Sequence, residues 1–309
     1  MKKLVSILTP CYNTAEYIDR FIHCLVNQTY RPIEWVIIDD GSTDNLREII
    51  KANEQKIQKS GIEIKYFYQE NRGVGAATNS GLKKVTGQFI MWPDPDDILY
   101  ETCVEKCVQF LEENKKCDYV LANSEIVDES DLNTVISISN YNPKNNFHDI
   151  LYLKNVFNIG YMVKKEILDK AIPDLNIYES RHGQNIQLLL PISYIAKCGY
   201  LEEVLCCRVK RVNSHSRSFD FANRDIALER TLAVKKIVMN TLEKMPLEVL
   251  PYWYYHKVTA DILKMKYKLM DGMLEKKTVE GYTRNLFKVM LKLLYEEMKL
   301  NIKYLIKRN

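Results

Sequence analysis

A chain of 309 residues with 46% hydrophobic and 27% charged side chains has the makeup of a folded protein with a sizeable core, in one large or two ordinary domains, which excludes a disordered class. A formal net charge of +4 gives no reason to expect nucleic-acid binding, which calls for a concentrated basic face. No stretch approaches the ~20 apolar residues of a membrane span, and only Leu4 to Leu8 is apolar between Lys2-Lys3 and Thr9-Pro10, so a cytoplasmic protein is expected.

Leu4 to Leu8 reads as a buried strand that Thr9-Pro10 ends. Ile18, Phe21, Ile22 and Leu25 recur at helical spacing within Glu16 to Asn27, a helix capped near Asn13 or Thr14. Trp35-Val36-Ile37-Ile38 is a second strand, running into Asp39-Asp40-Gly41-Ser42-Thr43-Asp44, and a helix over Leu46 to Ile57 follows. A third strand over Ile62 to Tyr68, a third helix over Gly75 to Val85 and a fourth strand over Phe89 to Trp92 continue the alternation. The eight cysteines show no C-x-x-C spacing, and buried free thiols are the simplest account of them.

The fourth strand ends in Pro93-Asp94-Pro95-Asp96-Asp97, three carboxylates in four positions. By itself this segment fits a solvated turn or a site for a hard divalent cation such as Mg²⁺ or Mn²⁺ equally well. Strands alternating with helices imply right-handed crossovers and a largely parallel sheet, in which ligands bind at the carboxyl ends of the strands. Those ends carry Pro10-Cys11-Tyr12-Asn13, Asp39-Asp40-Gly41, Gln69 to Gly73 and Asp94 to Asp97, so four polar segments are expected to converge on one crevice.

Val5 to Asn13, Gln28-Thr29-Tyr30, Glu34 to Asp44, Asn71-Arg72-Gly73, Ala76 to Gly81 and Gly87 to Ile98 agree in order and spacing with the family 2 inverting glycosyltransferases, which the chain resembles strongly to about residue 125 and more weakly to about 218. The resemblance implies an α/β GT-A fold, Rossmann-like, followed by a C-terminal helical region. The expected domains are a catalytic domain over 1–218, its nucleotide-binding half at 1–125 and acceptor half at 126–218, and a helical region over 219–309.

Residue by residue, the family pattern places Pro10, Tyr12 and Asn13 beside the nucleobase and gives Asp40 the base edge, with Asp39 orienting the loop. Asn71, Gly73 and Asn79 would wall the ribose and diphosphate, and Arg72 and Arg211 would meet phosphate charge. Asp96 would hold the metal, Mn²⁺ or Mg²⁺, Asp94 the ribose or a metal-bound water, and His215 would complete the metal site. Many members carry Glu-Asp where this chain has Gln184-Asn185, and neither amide can serve as the base that the Asp supplies. Glu179 or His182, just upstream, would then take the proton, or the base lies elsewhere while the amides position the acceptor. Glu179 is preferred, because a positive field keeps a carboxylate ionised and protonates an imidazole.

Farther on, Cys117 to Asn123 reads as a strand, Ser130 to Asn146 as irregular, Gly160 to Leu168 as a strand and helix start, and Ile186 to Ala196 as a helix interrupted by Pro191. Beyond Asn223 three helices are expected, Ile226 to Leu242, Trp253 to Met270 and Asn285 to Leu305, with basic faces beside aromatic stripes. These helices fit packing on the catalytic domain or peripheral contact with the inner face of a membrane. The expected activity is metal-dependent inverting transfer from a nucleotide-sugar, UDP-linked by preference, to a glycan, lipid-linked or protein-linked acceptor. A non-catalytic nucleotide-sugar-binding or scaffold protein is the alternative; a nucleotidyltransferase, a weaker third reading, would need a triphosphate loop near the first strand, and the sequence shows none there.

Overall fold

The computed structural model describes residues 2–139, 143, 146–153, 159–211 and 224–270. The chain divides into two compact units, Met1–Arg217 and Ser218–Asn309.

The first unit opens with β1 (Val5–Cys11), α1 (Ala15–Val26), β2 (Ile33–Asp40), α2 (Leu46–Lys59), β3 (Ile62–Gln69), α3 (Val74–Leu82) and β4 (Phe89–Met91). Strands β3, β2, β1 and β4 lie side by side and all parallel, with Val5 level with Ile33 and Phe89, and Ile33 level with Ile62. Every residue of β2 is buried, as expected of a central parallel strand covered on both faces. The apolar stripe of α1, Ile18, Phe21, Ile22 and Leu25, joins this core, where Phe21 packs 5.8 Å from Trp35. Trp35 is fully buried because its indole N–H finds Thr9 Oγ1 at 2.9 Å.

The expectation of a largely parallel sheet holds, with antiparallel pairs confined to the later strands. After β4 follow β5 (Ile98–Leu99), α4 (Cys103–Glu113), β6 (Tyr119–Asp128), β7 (Asp131–Ile138), α5 (Asn146–Leu151), β8 (Tyr161–Lys164), α6 (Lys165–Ala171), α7 (Gln184–Ile195) and β9 (Cys198–Lys210). Strand β8 is antiparallel to both β4 and β6, and the sheet runs β3-β2-β1-β4-β8-β6-β9-β5, with β7 paired to β6. The chain between β4 and β5 therefore crosses from the parallel half to the far edge, and Asp94–Asp97 lies in that crossing.

Two expectations change. The run from Ser130 is not irregular throughout, because Asp131–Ile138 forms a strand with all of its residues exposed, held by pairing with β6 and not by burial. Strand β1 continues through Pro10 to Cys11; the missing Pro10 N–H does not end the parallel pairing with β2.

At the amino ends of the parallel strands a buried carboxylate ties four segments together. Glu34 of β2 accepts hydrogen bonds from Lys65 Nζ at 2.6 Å, Thr86 N at 2.5 Å, Thr86 Oγ1 at 2.8 Å and Gly87 N at 3.0 Å, and from the Ser6 hydroxyl. Burial by itself would raise its pKa, but the hydrogen bonds from Lys65, Ser6 and Thr86 outweigh it and hold the carboxyl below its ordinary range.

In the second unit, α8 (Arg224–Glu243) and α9 (Leu250–Met270) are joined by a turn containing the 3₁₀ segment Leu247–Val249. Ile237, Val238, Leu242, Val249 and Val258 are buried, and Lys235 Nζ donates to Thr259 Oγ1 at 2.7 Å across the pair. No helix among the described residues is long and apolar enough to cross a membrane. The expected helix over Asn285 to Leu305 lies outside the described residues, as does His215.

Candidate nucleotide and metal site

The crevice at the carboxyl ends of the parallel strands is built by side chains that bind one loop to the next. Asn13, after β1, has φ 51° and accepts the Thr43 N–H at 2.8 Å on its side-chain oxygen, while its own N–H donates to Ser42 Oγ at 3.0 Å. Asp44 returns the link by accepting the Ala15 N–H at 2.9 Å, so an acid from the second loop caps the first helix. Asp39 accepts the Ser42 N–H at 2.8 Å and the Tyr66 hydroxyl, and thus orients its own loop.

Asp40 holds the third loop. Its Oδ1 accepts Gln69 Nε2 at 2.7 Å and the Arg72 N–H at 3.1 Å, and its Oδ2 accepts the Gly73 N–H at 2.7 Å. Gly41, at φ 78°, lets this loop approach: a Cβ there would stand 2.7 Å from Asn71 N. The loops after the second and third strands are thereby held against each other at Asp40 and Asn71, and Tyr12, after the first strand, is 49% exposed.

The segment Asn176–Arg181 is clamped onto the start of α3. Asn79 accepts the Ile177 N–H at 2.7 Å and donates to the Asn176 side chain at 2.6 Å and to Ile177 O at 3.0 Å. The Gly75 N–H donates to Ser180 O at 2.9 Å, and Gln187 Nε2 donates to Tyr178 O at 3.1 Å. A Cβ on Gly75 would stand 2.6 Å from Tyr178 O and 2.7 Å from Ser180 N, so glycine here serves the close approach of this segment. Asn79 is thus spent on the clamp, whereas Glu179, between two anchored neighbours, reaches Arg72, whose guanidinium lies 2.6 Å from its Oε1. His182 is exposed on the same loop, its carbonyl accepting from the Ser180 hydroxyl.

Asp94, Asp96 and Asp97 are, among the described residues, the group that can hold a cation, with one oxygen from each within 4.8 Å of the others. Asp97 is buried and accepts the Val209 N–H at 3.2 Å; Asp94 accepts Gln184 Nε2 at 3.0 Å; Asp96 pairs with Arg211 at 2.5 Å. Burial, reinforced by Asp96, pushes the Asp94 carboxyl up to about 7, and burial with both neighbouring acids raises Asp97 well above the ordinary range. Oxygen-only donors that repel one another this strongly fit a hard divalent cation, which would relieve the repulsion.

Several partners of this cluster carry no local signal in the sequence. Tyr17 of α1 lies under Arg211, 4.5 Å from ring centre to guanidinium carbon, and Arg20 donates to the Asp96 carbonyl at 2.6 Å. Asn185 Oδ1 accepts Trp92 Nε1 at 3.0 Å and the Tyr161 hydroxyl at 2.6 Å, with the two rings 4.6 Å apart. Trp92 therefore anchors Asn185, and Gln184 beside it reaches the acidic cluster at Asp94.

The chain is similar to known proteins. Residues 6–169 match the family described as glycosyl transferase family 2. The chain is 37% identical over 134 residues to glycosyltransferase GlyG of Streptococcus pneumoniae, a match covering 43% of each chain. An uncharacterized glycosyltransferase of Rickettsia conorii is 37% identical over 127 residues, which are 41% of this chain and 20% of that one. The chain thus matches well under two thirds of the length of these relatives.

Among solved structures, Staphylococcus aureus TarS in complex with UDP-GlcNAc superposes with a TM-score of 0.59 at 18% identity over 92% of both chains. The mannosyltransferase PcManGT from Pyrobaculum calidifontis, in complex with GDP-Man and Mn²⁺, gives 0.55 at 13% identity over 100% of this chain and 89% of that one. At such identities the likeness is one of fold, the GT-A fold with helices at its C-terminal end. The family match, spanning most of the sheet and all three acids, makes the chain a member of glycosyl transferase family 2.

Proposed function

We propose that this protein transfers a sugar from a nucleotide-sugar, UDP-linked by preference, to a hydroxyl of a glycan or lipid-linked acceptor, with inversion and with help from Mn²⁺ or Mg²⁺. The observation that carries this reading is the convergence of Asp94, Asp96 and Asp97, one oxygen of each within 4.8 Å of the others; Pro10, Tyr12 and Asp40 would form the nucleobase rim. Asp96 and Asp97 would hold the cation, with Asp94 toward the ribose. When bound, the cation supplies positive charge beside the departing diphosphate.

The chain's own groups do the rest. Tyr12 stacks on the base and Asp40 fixes the loop that reads its edge, while Arg72 and Arg211 offer guanidinium groups to anionic oxygens. In this reading Arg211 leaves Asp96 for the diphosphate once a cation neutralises that carboxylate. The acceptor hydroxyl attacks the anomeric carbon opposite the leaving diphosphate, and Glu179 takes its proton. The clamp on Tyr178 and Ser180 supports that role by fixing the backbone on both sides of the base. The rim residues, the paired amides and the acceptor class are all part of this proposal.

A second reading, a nucleotide-sugar-binding protein without transfer, is favoured by one observation: Gln184 and Asn185 are engaged with Asp94, Trp92 and Tyr161 and bring no carboxylate to the acceptor side. Titration calorimetry with UDP in the presence and absence of Mn²⁺, followed by a screen of nucleotide-sugars for metal-dependent hydrolysis and transfer, separates the two. Metal-dependent binding with turnover supports the transferase, and binding with no turnover of any donor supports the second reading.

A further inference from the structure

The turn between α8 and α9 carries the most exposed large apolar side chain among the described residues. Leu247 is 83% exposed, and Leu250 and Tyr254 on the first turns of α9 are 44% and 42% exposed. Soluble proteins expose single apolar residues freely, but three exposed together at one turn form a feature with a cause. Leu250, Tyr254, Lys257, Asp261 and Lys264 recur at steps of four and three, so they form one stripe of α9 that begins apolar and becomes charged, with Lys257 paired to Asp261 at 3.6 Å and Lys264 adding a positive charge. Trp253 is fixed beside that stripe, its indole donating to Glu243 at 2.9 Å and its ring 5.1 Å from Tyr254.

The charge of the chain is divided in the same sense. Residues 218–309 hold 18 Lys and Arg against 11 Asp and Glu, a net +7, whereas residues 1–217 hold 26 against 29, a net −3. An exposed Leu and Tyr, a Trp beside them and the net positive charge of this part of the sequence fit a lipid surface with negative headgroups. The same three side chains are too few for a second copy or another protein, since a stable protein interface buries roughly 1,200–2,000 Å². Exposed Glu248, next to Leu247, limits entry to the interfacial zone, in keeping with helices that do not span.

We propose that the α8–α9 turn docks on an anionic bilayer, with Leu247, Leu250 and Tyr254 entering the interface and Lys257 and Lys264 remaining among the headgroups. The contact would hold the second unit at the surface from which a lipid-linked acceptor is presented. Docking itself does not depend on the transferase reading and can be tested without turnover.

The test uses the full chain and vesicles of phosphatidylcholine, with or without phosphatidylglycerol. Cosedimentation should be strong with phosphatidylglycerol, weak without it, and reduced by added salt. Of the three tryptophans, Trp35 and Trp92 are buried, so a blue shift of emission on binding would report Trp253. Leu247→Glu with Leu250→Glu should lower vesicle partition by about tenfold or more, given what a leucine gains on leaving water. Its circular dichroism and UDP binding should stay unchanged. Because a double variant can misfold, Leu247→Ser alone is measured too and should give a smaller loss in the same direction. Wild-type protein that ignores anionic vesicles, or folded variants that bind them as well as wild type, would overturn the proposal. So would a wild-type dimer that the variants dissociate with no vesicle binding in either, which would make the turn a contact between copies.

Discussion

Glu179 is exposed, yet its position is set by bonds it does not make itself. Its neighbours are anchored to Gly75 and Gln187, and its carboxylate meets Arg72. If it is the base, Glu179→Gln should keep UDP and Mn²⁺ binding and lose transfer by ~10²- to 10⁴-fold, with His182→Ala losing much less; single-turnover assays with a competent donor measure both. Wild-type transfer by Glu179→Gln would place the base outside this loop. Arg72→Ala should shift unfolding by no more than ~1 kcal/mol, because an exposed ion pair contributes little.

At the same scale, Gly75→Ala forces a Cβ against two backbone atoms of the clamped segment, 2.6 and 2.7 Å away. Urea denaturation should register a loss of about 1–3 kcal/mol, the usual effect of overpacking where neither partner is a flexible side chain. The sequence pattern of Gly73 and Gly75 was readable as glycine with a purpose, but the purpose was not, since the atoms that need the space lie a hundred residues onward. Asp40 and Asn79 show the same gap. Their side chains are engaged with Gly73 and with Ile177, contacts that no local spacing announces.

Among the elements, the first four strands and three helices were legible because period-2 and period-3.6 patterns there coincide with clear turn residues. Strand β7 was not, because its residues are all exposed and polar ones alternate with apolar ones without a buried face to mark them. Strand β8 reads as a strand in sequence, but its antiparallel insertion between β4 and β6 depends on topology alone.

Glu34 shows what such elements require of each other, since one carboxylate joins β1, β2, β3 and the entry to β4. Its folded pKa is depressed, so the stability it contributes is present above its unfolded value near 4.5 and is lost as pH falls through the folded value below that. Glu34→Gln should cost about 1.5–3 kcal/mol at neutral pH, the range for hydrogen bonds to a charged group. The difference from wild type should shrink as acid is added below pH ~4.5. Chemical denaturation at several pH values tests this, and a difference that stays constant into acid would mean that the charge of Glu34 does not stabilise the fold.

On the largest scale, the buried tie at Glu34 and the loops of the proposed site lie at opposite ends of the parallel strands of the first unit. The amino ends are tied by Glu34, and the carboxyl ends gather loops whose acids repel one another until something positive arrives. In the structure Arg211 supplies that charge at Asp96, while Asp94 and Asp97 remain raised. The central claim is that the acidic cluster, through Asp96, holds a cation beside the diphosphate of a bound nucleotide. Calorimetry of UDP binding to wild type and Asp96→Asn, each with and without Mn²⁺, tests it most directly. Binding to wild type should strengthen at least tenfold with Mn²⁺, as expected when a cation bridges carboxylate and phosphate oxygens. The nearly isosteric variant should remain folded and lose that dependence. Equal Mn²⁺ dependence in the two proteins, or none in wild type, would contradict the claim.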